Sequence, residues 1–499
     1  MATRDWSISQ RQSKVAILVK ISDFAKGLLR QFWVFIPLIL FGRDGIRTEL
    51  AFLLLFLFFG SFSLILSIIG YYRFYFSIEN GEFRIRKGVL KKVDINLPIE
   101  RIQSVNFQQG PIHQLFGVVG VEIDSAGAKG KEFEIAALDK ASAEALKIAL
   151  LEERSELLAE KSGDVESVAL VQKEERQLLF QHSMWDLFKI GISQNHLRTA
   201  GILLAFVFGL YENIASMLFD DFFDGVEKVL GVELESIWMT ILIVLPLFLI
   251  ASFLVTLVRT VLSEFNLRFW MSPRGFTLQG GLINRKQTVA LLKKIQTVRW
   301  SANPIQRTMG FFSLRLNQAA SSEVAASKST KIAGVYGHQL DSIMQHTYGA
   351  LLDDEVISAK PDRRLIYRRF LFLGILPSLA AIFLAIFTQA YHYLVLPALL
   401  PLIYWIQLRW WQRFRYDVGR DLLQVYRGFI THKATILEIF KVQAVQISQT
   451  PYQRRKDLAS VHIYSASGNV TLPYIELSEA QRVHDTIVYR AEVSDDSWM

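Results

Sequence analysis

Apolar and polar positions in the 499-residue chain alternate between two regimes. Apolar runs lie near residues 28–42 and 49–70, 200–218 and 237–258, and 370–388 and 391–408, so they fall into three close pairs. After each pair the period drops to two, as in Phe74-Tyr75-Phe76-Ser77-Ile78, the turn triplet Glu79-Asn80-Gly81, and then Phe83-Arg84-Ile85-Arg86. Crossing a hydrocarbon core of about 30 Å takes roughly 20 helical residues, and most of these runs are long enough. The first, near 28–42, is shorter and would need tilt or a thinned bilayer. Strict alternation is the mark of half-buried strands.

The β-rich stretches are copies of one another. Gly88, Gly281 and Gly428 each follow a strand-like run and precede an apolar pair, Val89-Leu90, Leu282-Ile283 and Phe429-Ile430. Next come Ile102-Gln103-Ser104-Val105, Ile295-Gln296-Thr297-Val298 and Val442-Gln443-Ala444-Val445, and after them Pro111, Pro304 and Pro451. Three more alternating runs follow, Val121-Glu122-Ile123, Leu314-Arg315-Leu316 and Val461-His462-Ile463. Matches in constant register make this one module used three times. Each copy closes on a helix-like stretch, Asp139 to Lys161, Gln339 to Tyr348 and Glu479 to Ala491; Ser478 and Gln481 open the last in capping-box spacing. The expected fold class is membrane α plus β: three transmembrane helical hairpins alternating with three small β-barrel or bent-sandwich modules, each capped by a C-terminal helix. The expected boundaries are an interfacial segment at 1–27, hairpin 28–72, module 73–165, an amphipathic interfacial helix at 172–197, hairpin 198–262, module 263–352, linker 353–369, hairpin 370–412, module 413–492 and tail 493–499.

Charge near the apolar runs sets an orientation. Arg4, Arg11, Lys14, Lys20 and Lys26 precede the first run, Arg363, Arg364, Arg368 and Arg369 open the fifth, and Arg409, Arg413 and Arg415 follow the sixth. The second hairpin tip instead carries Asp220, Asp221, Asp224, Glu227, Glu233 and Glu235. Positive charge stays on the cytoplasmic side. The expectation is a bacterial inner-membrane protein with six spans, and with both termini and all modules cytoplasmic. No apolar signal core precedes residue 28, and the absence of Cys fits a reducing compartment. The net charge of +8 is small for this length and without basic-aromatic clustering, so nucleic acid is not an expected partner.

The order strand, Gly, apolar pair, Ile-Gln-x-Val, then Pro with Gly six residues on resembles the bacterial pleckstrin-homology (PH) domain type 2 family. The residues that carry it are Gly88, Gln103, Pro111 and Gly117, then Gly281, Gln296, Pro304 and Gly310, then Gly428, Gln443 and Pro451, with Asp457 where the last Gly would stand. Three copies between membrane hairpins resemble the family's YdbT-like multi-copy membrane members. The resemblance implies PH-like modules, carries no agreed activity, and implies a smaller single-module relative as protein partner.

No phosphate loop, dinucleotide fingerprint, zinc motif or nucleophile elbow occurs, so no enzyme activity, cofactor or metal is expected. Transport ranks third among the functions considered, because Glu212 is the only acid well inside a run and lies toward its interfacial end. Binding is better supported. Arg84, Arg86, Lys87, Lys91 and Lys92 flank the first Gly turn, Arg285, Lys286, Lys293 and Lys294 lie near the second, and Arg427, Lys433 and Lys441 near the third. Beneath a bilayer these cations are candidate partners for phosphate-bearing headgroups. The expected function is a non-enzymatic membrane scaffold that presents three modules to protein partners, in envelope maintenance or stress resistance. The alternative is an anionic-lipid-handling protein. Membrane lipids are expected partners in both, with self-association left open.

Overall fold

The structure is a computed structural model that describes residues 5–32, 46–89, 91–125, 133–162, 176–194, 196, 198–203, 237–319, 329–349 and 357–494. The chain divides into two compact units, 1–273 with 277–289, and 274–276 with 290–499.

In the first unit, helices α1 (Ala16–Phe32) and α2 (Ile46–Tyr72) lead into strands β1 (Tyr75–Glu79), β2 (Glu82–Lys87) and β3 (Val93–Pro98). A 3-10 turn, Ile99–Arg101, then redirects the chain into β4 (Ile102–Gln109), helix α3 (Pro111–Leu115), β5 (Val118–Ser125), β6 (Glu134–Asp139) and helix α4 (Lys140–Ser162). Next come β7 (Gln177–Gln181), α5 (Met184–Ile192), α6 (Ile237–Glu264), β8 (Arg268–Ser272), β9 (Gly275–Gly280) and β10 (Arg285–Leu291). The second unit begins its own sheet with β11 (Ile295–Ala302), α7 (Pro304–Thr308), β12 (Phe311–Gln318), β13 (Ser329–Tyr336) and α8 (Gly337–Tyr348). It continues through β14 (Ile357–Ala359), α9 (Arg364–Thr388), α10 (Leu400–Arg413), β15 (Arg415–Val418), β16 (Leu422–Arg427) and β17 (His432–Glu438). It ends with β18 (Val442–Ser448), α11 (Pro451–Arg454), β19 (Leu458–Ser465), β20 (Gly468–Glu476) and α12 (Leu477–Val493).

The repeats do not close on themselves as separate barrels. Each is built of two three-stranded halves, and the second half of one copy shares a sheet with the first half of the next. The sheets are β1-β2-β3, then β6-β5-β4-β10-β9-β8-β7, then β13-β12-β11-β17-β16-β15-β14, and finally β18-β19-β20. The two junctions have the same register. Arg285 faces Gln109 and Gln287 faces Phe107 where β10 meets β4, and the equivalent His432 faces Ala302 and Ala434 faces Trp300 where β17 meets β11.

Alternation explains the cores. In the first copy Phe76, Phe83, Ile85, Ile102, Val121 and Ile135 are buried against Ala143, Leu146 and Leu150 on one face of α4. In the third, Tyr416, Val425, Ile463 and Leu472 pack with Ala480, Val483 and Ile487 of α12. Each such large apolar side chain contributes about 1.5–3 kcal/mol. The repeated Gln has a geometric role. Ile102 pairs with Ser125 and Ser104 with Asp124, which leaves Gln103 as the extra residue of a β-bulge; Gln296 and Gln443 occupy the same place between Ile295 and Thr297 and between Val442 and Ala444.

The expectation of three transmembrane hairpins is corrected. Among the described residues, two helical stretches are long and apolar enough to cross a membrane, Pro246–Glu264 and Arg364–Thr388. The last apolar run is broken by a 3-10 turn at Tyr391–Leu394 and a single turn at Val395–Ala398, with Pro397 and Pro401 removing backbone donors. That leaves α10 with 14 residues, about 21 Å long, short of a bilayer core. The described apolar part of α2 is the shorter Phe58–Tyr72. Most of the runs near 28–42 and 200–218, Glu212 and the acidic tip at 220–235 lie outside the described residues.

Two local expectations also change. Within the range 172–197, the described residues form a strand, Gln177–Gln181, followed by a helix, because Leu178 and Phe180 pair with Trp270 and Phe269 at the sheet edge and the helix starts only at Met184. Helix α12 starts before Ser478, without a side-chain cap, and the Tyr416 hydroxyl donates to Glu479 at 2.8 Å.

Candidate functional site

The three Gly turns are held by backbone geometry. Gly88, Gly281 and Gly428 have φ of 125°, 105° and 100°, and an added Cβ would lie 1.9, 2.2 and 1.9 Å from the carbonyl oxygens of Lys91, Asn284 and Thr431. The chain passes so close to itself that only a residue without Cβ fits. The tight turn pushes its apolar pair outward: Ile283 and Ile430 are exposed, and Phe429 packs edge-on against Trp405 of α10 at 5.2 Å. At the first turn the Arg73 guanidinium donates to the Val89 carbonyl at 2.6 Å.

The candidate cations separate into two places. Arg84, Arg86, Lys87, Lys91, Lys92, Arg285, Lys286, Arg427 and Lys433 lie at or beside the Gly turns. Lys293 and Lys294 lie in the 3-10 turn Leu292–Lys294, at the far end of β10, and Lys441 is in the equivalent turn Ile439–Lys441. Lys441 is buried, 2.6 Å from Glu438, and donates to the Ile295 carbonyl at 2.8 Å, so its ammonium ties two halves of a sheet structure together instead of facing a ligand. In the first turn Arg84 pairs with Glu79 and Glu82 at 3.3 and 3.5 Å, and Arg86 with Asp94 at 3.5 Å. Lys91 and Lys92 are exposed.

Beside the second turn lies a cavity of about 700 Å³, walled by Leu254, Val255, Val258 and Leu262 of α6 and by Ile283, with Arg259, Ser263, Asn284 and Lys286 as its polar members. Gln114 fixes this turn from α3 by donating to the Leu282 and Ile283 carbonyls at 2.9 and 2.7 Å. An apolar wall with a basic rim suits an acyl chain under a phosphate.

The third turn holds a smaller, more strongly charged cavity of about 350 Å³, with Lys360, Arg413, Arg415, Arg427, His432 and Lys433 in its lining. Arg415 pairs with Asp417 at 3.0 Å and stacks over Tyr426, and Arg427 lies over Phe414. Burial lowers the pKa of Arg427, and Arg299 adds to that effect. His432 lies 3.1 Å from Arg307 and also contacts Arg413 through Nε2; burial and then these two guanidiniums hold its pKa below 6.5. Guanidiniums present planar, paired donors, so the Arg413, Arg415 and Arg427 lining has chemistry that suits a multiply charged oxyanion. Sequence reading missed Lys360, Arg307 and His432. Arg307 comes from α7, 125 residues before His432, and no local pattern could join them. Arg413 and Arg415 were visible only as topology signals.

No group of three or more His, Asp or Glu side chains placed to hold a metal ion occurs among the described residues.

These features define a class, a tandem PH-type protein whose second and third Gly turns carry apolar tips and basic side chains beside helices. The chain belongs to the bacterial PH domain family, whose model matches residues 24–154, 226–346 and 368–491. It is 24% identical over 406 residues to UPF0699 transmembrane protein YdbT of Bacillus subtilis (strain 168), covering 79% of this chain and 80% of that protein. It is 32% identical over 83 residues, 17% of its length, to UPF0699 transmembrane protein YdbS of the same organism, and spans about half (52%) of that protein.

Proposed function

We propose that this chain is a non-enzymatic membrane scaffold whose Gly turns seat its PH modules on anionic headgroups of the cytoplasmic leaflet. The observation that carries this is the turn itself. At Gly281 and Gly428 an exposed apolar tip stands beside basic side chains and a neighbouring apolar helix. Such a tip enters the interface while the cations meet phosphate. The transmembrane name of the YdbT relative and the two membrane-length helices support placement in the membrane. Trp405, Trp410 and Trp411 in α10 suit an interfacial belt. Continuity of the sheets supports the scaffold role, since β-strand pairing fixes neighbouring half-modules in register. A smaller single-module protein, and a place in envelope maintenance, belong to this reading.

The test is native mass spectrometry of the full chain in nanodiscs of mixed neutral and anionic lipid. Replacing Arg413, Arg427 and Lys433 together by Gln should lower selective anionic-lipid retention of the third module by about a hundredfold, from roughly 1 kcal/mol per charge. Unchanged retention with an intact fold would overturn the headgroup reading. Orientation is checked separately. The chain lacks Cys, so Lys91→Cys labelled by an impermeant maleimide only after the membrane is opened would place the first turn inside.

A further inference from the structure

The two ends of the series of half-modules are unmatched. Every second half except the last passes its first strand to the next copy: β4 pairs with β10, and β11 with β17. Strand β18 is the counterpart of β4 and β11, and β3 is the counterpart of β10 and β17. Among the described residues neither β3 nor β18 has a strand on its outer side.

We propose that β18 of one copy of this chain pairs antiparallel with β3 of a second copy, in the register already used twice within the chain. The repeat spacing then sets Lys92 opposite Gln449, Val93 opposite Ser448, Asn96 opposite Val445 and Leu97 opposite Ala444. The same arithmetic of positions relates the two junctions that exist.

Three observations support a second copy as the occupant. First, β18 reads Val-Gln-Ala-Val-Gln-Ile-Ser, seven residues without one charge. A free edge is normally guarded by charge, Pro or a short strand, and β18 has none of these. Second, its bulge at Gln443 is no guard, because the same bulge at Gln103 and Gln296 accompanies a paired edge. Third, pairing changes burial at equivalent positions. Ile295 and Val298 of paired β11 are 1% and 0% exposed, whereas Val442 and Val445 of β18 are only partly buried. Asp94 on β3 faces its own Arg86 at 3.5 Å, so the one acid on that strand is already partnered. A β18-to-β3 contact is head-to-tail, so it builds a ring if the rotation closes and an open row if it does not. The inference rests on strand topology and is independent of headgroup binding.

The experiment uses the full chain, which has no Cys of its own. Asn96→Cys and Val445→Cys are made in separate chains, mixed in nanodiscs large enough for two copies, and mildly oxidised. Directly opposed residues bring Cβ atoms to about 4.5–5.5 Å, so a covalent dimer should form only in the mixture. Ile95→Cys with Val445→Cys is the control one residue out of register, where the thiols point to opposite faces, and it should give at least tenfold less. No dimer from the mixture, or equal dimer from the control, overturns the proposal. Oxidation in native membranes that joins Val445→Cys to a smaller single-module protein and never to a second copy also overturns it. The triple Arg413, Arg427 and Lys433 variant should cross-link as fully as the parent.

Discussion

An added Cβ at Gly428 would lie 1.9 Å from the Thr431 carbonyl oxygen, while Asp457 already holds φ of 51° where the first two copies have Gly117 and Gly310. These residues look alike in the repeat and differ physically. Gly428→Ala should cost about 1–3 kcal/mol, read as a lower unfolding temperature in nanodiscs, because both the clash and the left-handed backbone oppose it. Asp457→Gly should be nearly neutral, since the turn is formed already and Asp tolerates that region. Buried charge gives a second contrast. Lys441→Met leaves Glu438 without its ammonium and should cost about 3–5 kcal/mol, whereas Lys433→Met on an exposed strand position should leave unfolding unchanged. His432 supplies a pH dependence. Its pKa is below 6.5 in the folded chain, so it stays neutral there while the unfolded chain takes up a proton, and stability falls as pH drops below that value. An anion in the adjoining cavity favours the protonated ring. Retention of a phosphate-bearing lipid should therefore rise as pH falls through and below 6.5, by at most about tenfold per pH unit, and His432→Gln should flatten the profile.

Among the elements, the β-bulge shows how much a pattern reveals. The Gln of each copy was legible as a repeat position in Ile-Gln-x-Val, and its role was not, because a bulge is defined by the partner strand. Deleting Gln443 would remove the extra residue, so that Val442 and Ala444 follow one another opposite Ser465 and Tyr464 and β18 loses the local bend of its bulge. The expected result is a third module less resistant to protease. Gln443→Ala keeps the residue count at an exposed position and should leave the module resistant. Strands were legible wherever alternation met a turn signal, as at Asn80 and Gly81, which both have positive φ. The stretch at Leu178-Leu179-Phe180 was misread because its apolar residues fit a helical face as well as a strand, and the exposed edge of β8 decided between them. Apolar length likewise overstated the membrane helices: Pro397 and Pro401 cut the last run into pieces that a hydropathy window joins.

For the whole molecule, the module count and family were written in the constant spacing of Gly, Gln and Pro, but the exchange of strands between copies was not. Edge pairing depends on which backbone donors remain open after each half-sheet forms, and no side-chain spacing encodes that. The candidate site divides in the same way. Its Gly turns and near cations were local and readable, whereas the gathering of Arg307, Arg413 and His432 depends on β11 lying against β17.

That pairing has a consequence for how the protein is made. Ala302 leaves the ribosome 130 residues ahead of its partner His432, and the long apolar helix α9 must be delivered to its final surroundings in the interval. At about 5–20 residues per second the edge of β11 stands open for roughly 6 to 26 s. Biogenesis therefore passes through a nascent chain with a bare strand edge, and the expected helper is a holding chaperone or insertase that covers β11 until the last module arrives. Ribosome-bound chains stalled near residue 400 should recruit it, and chains stalled beyond β17 should let it go.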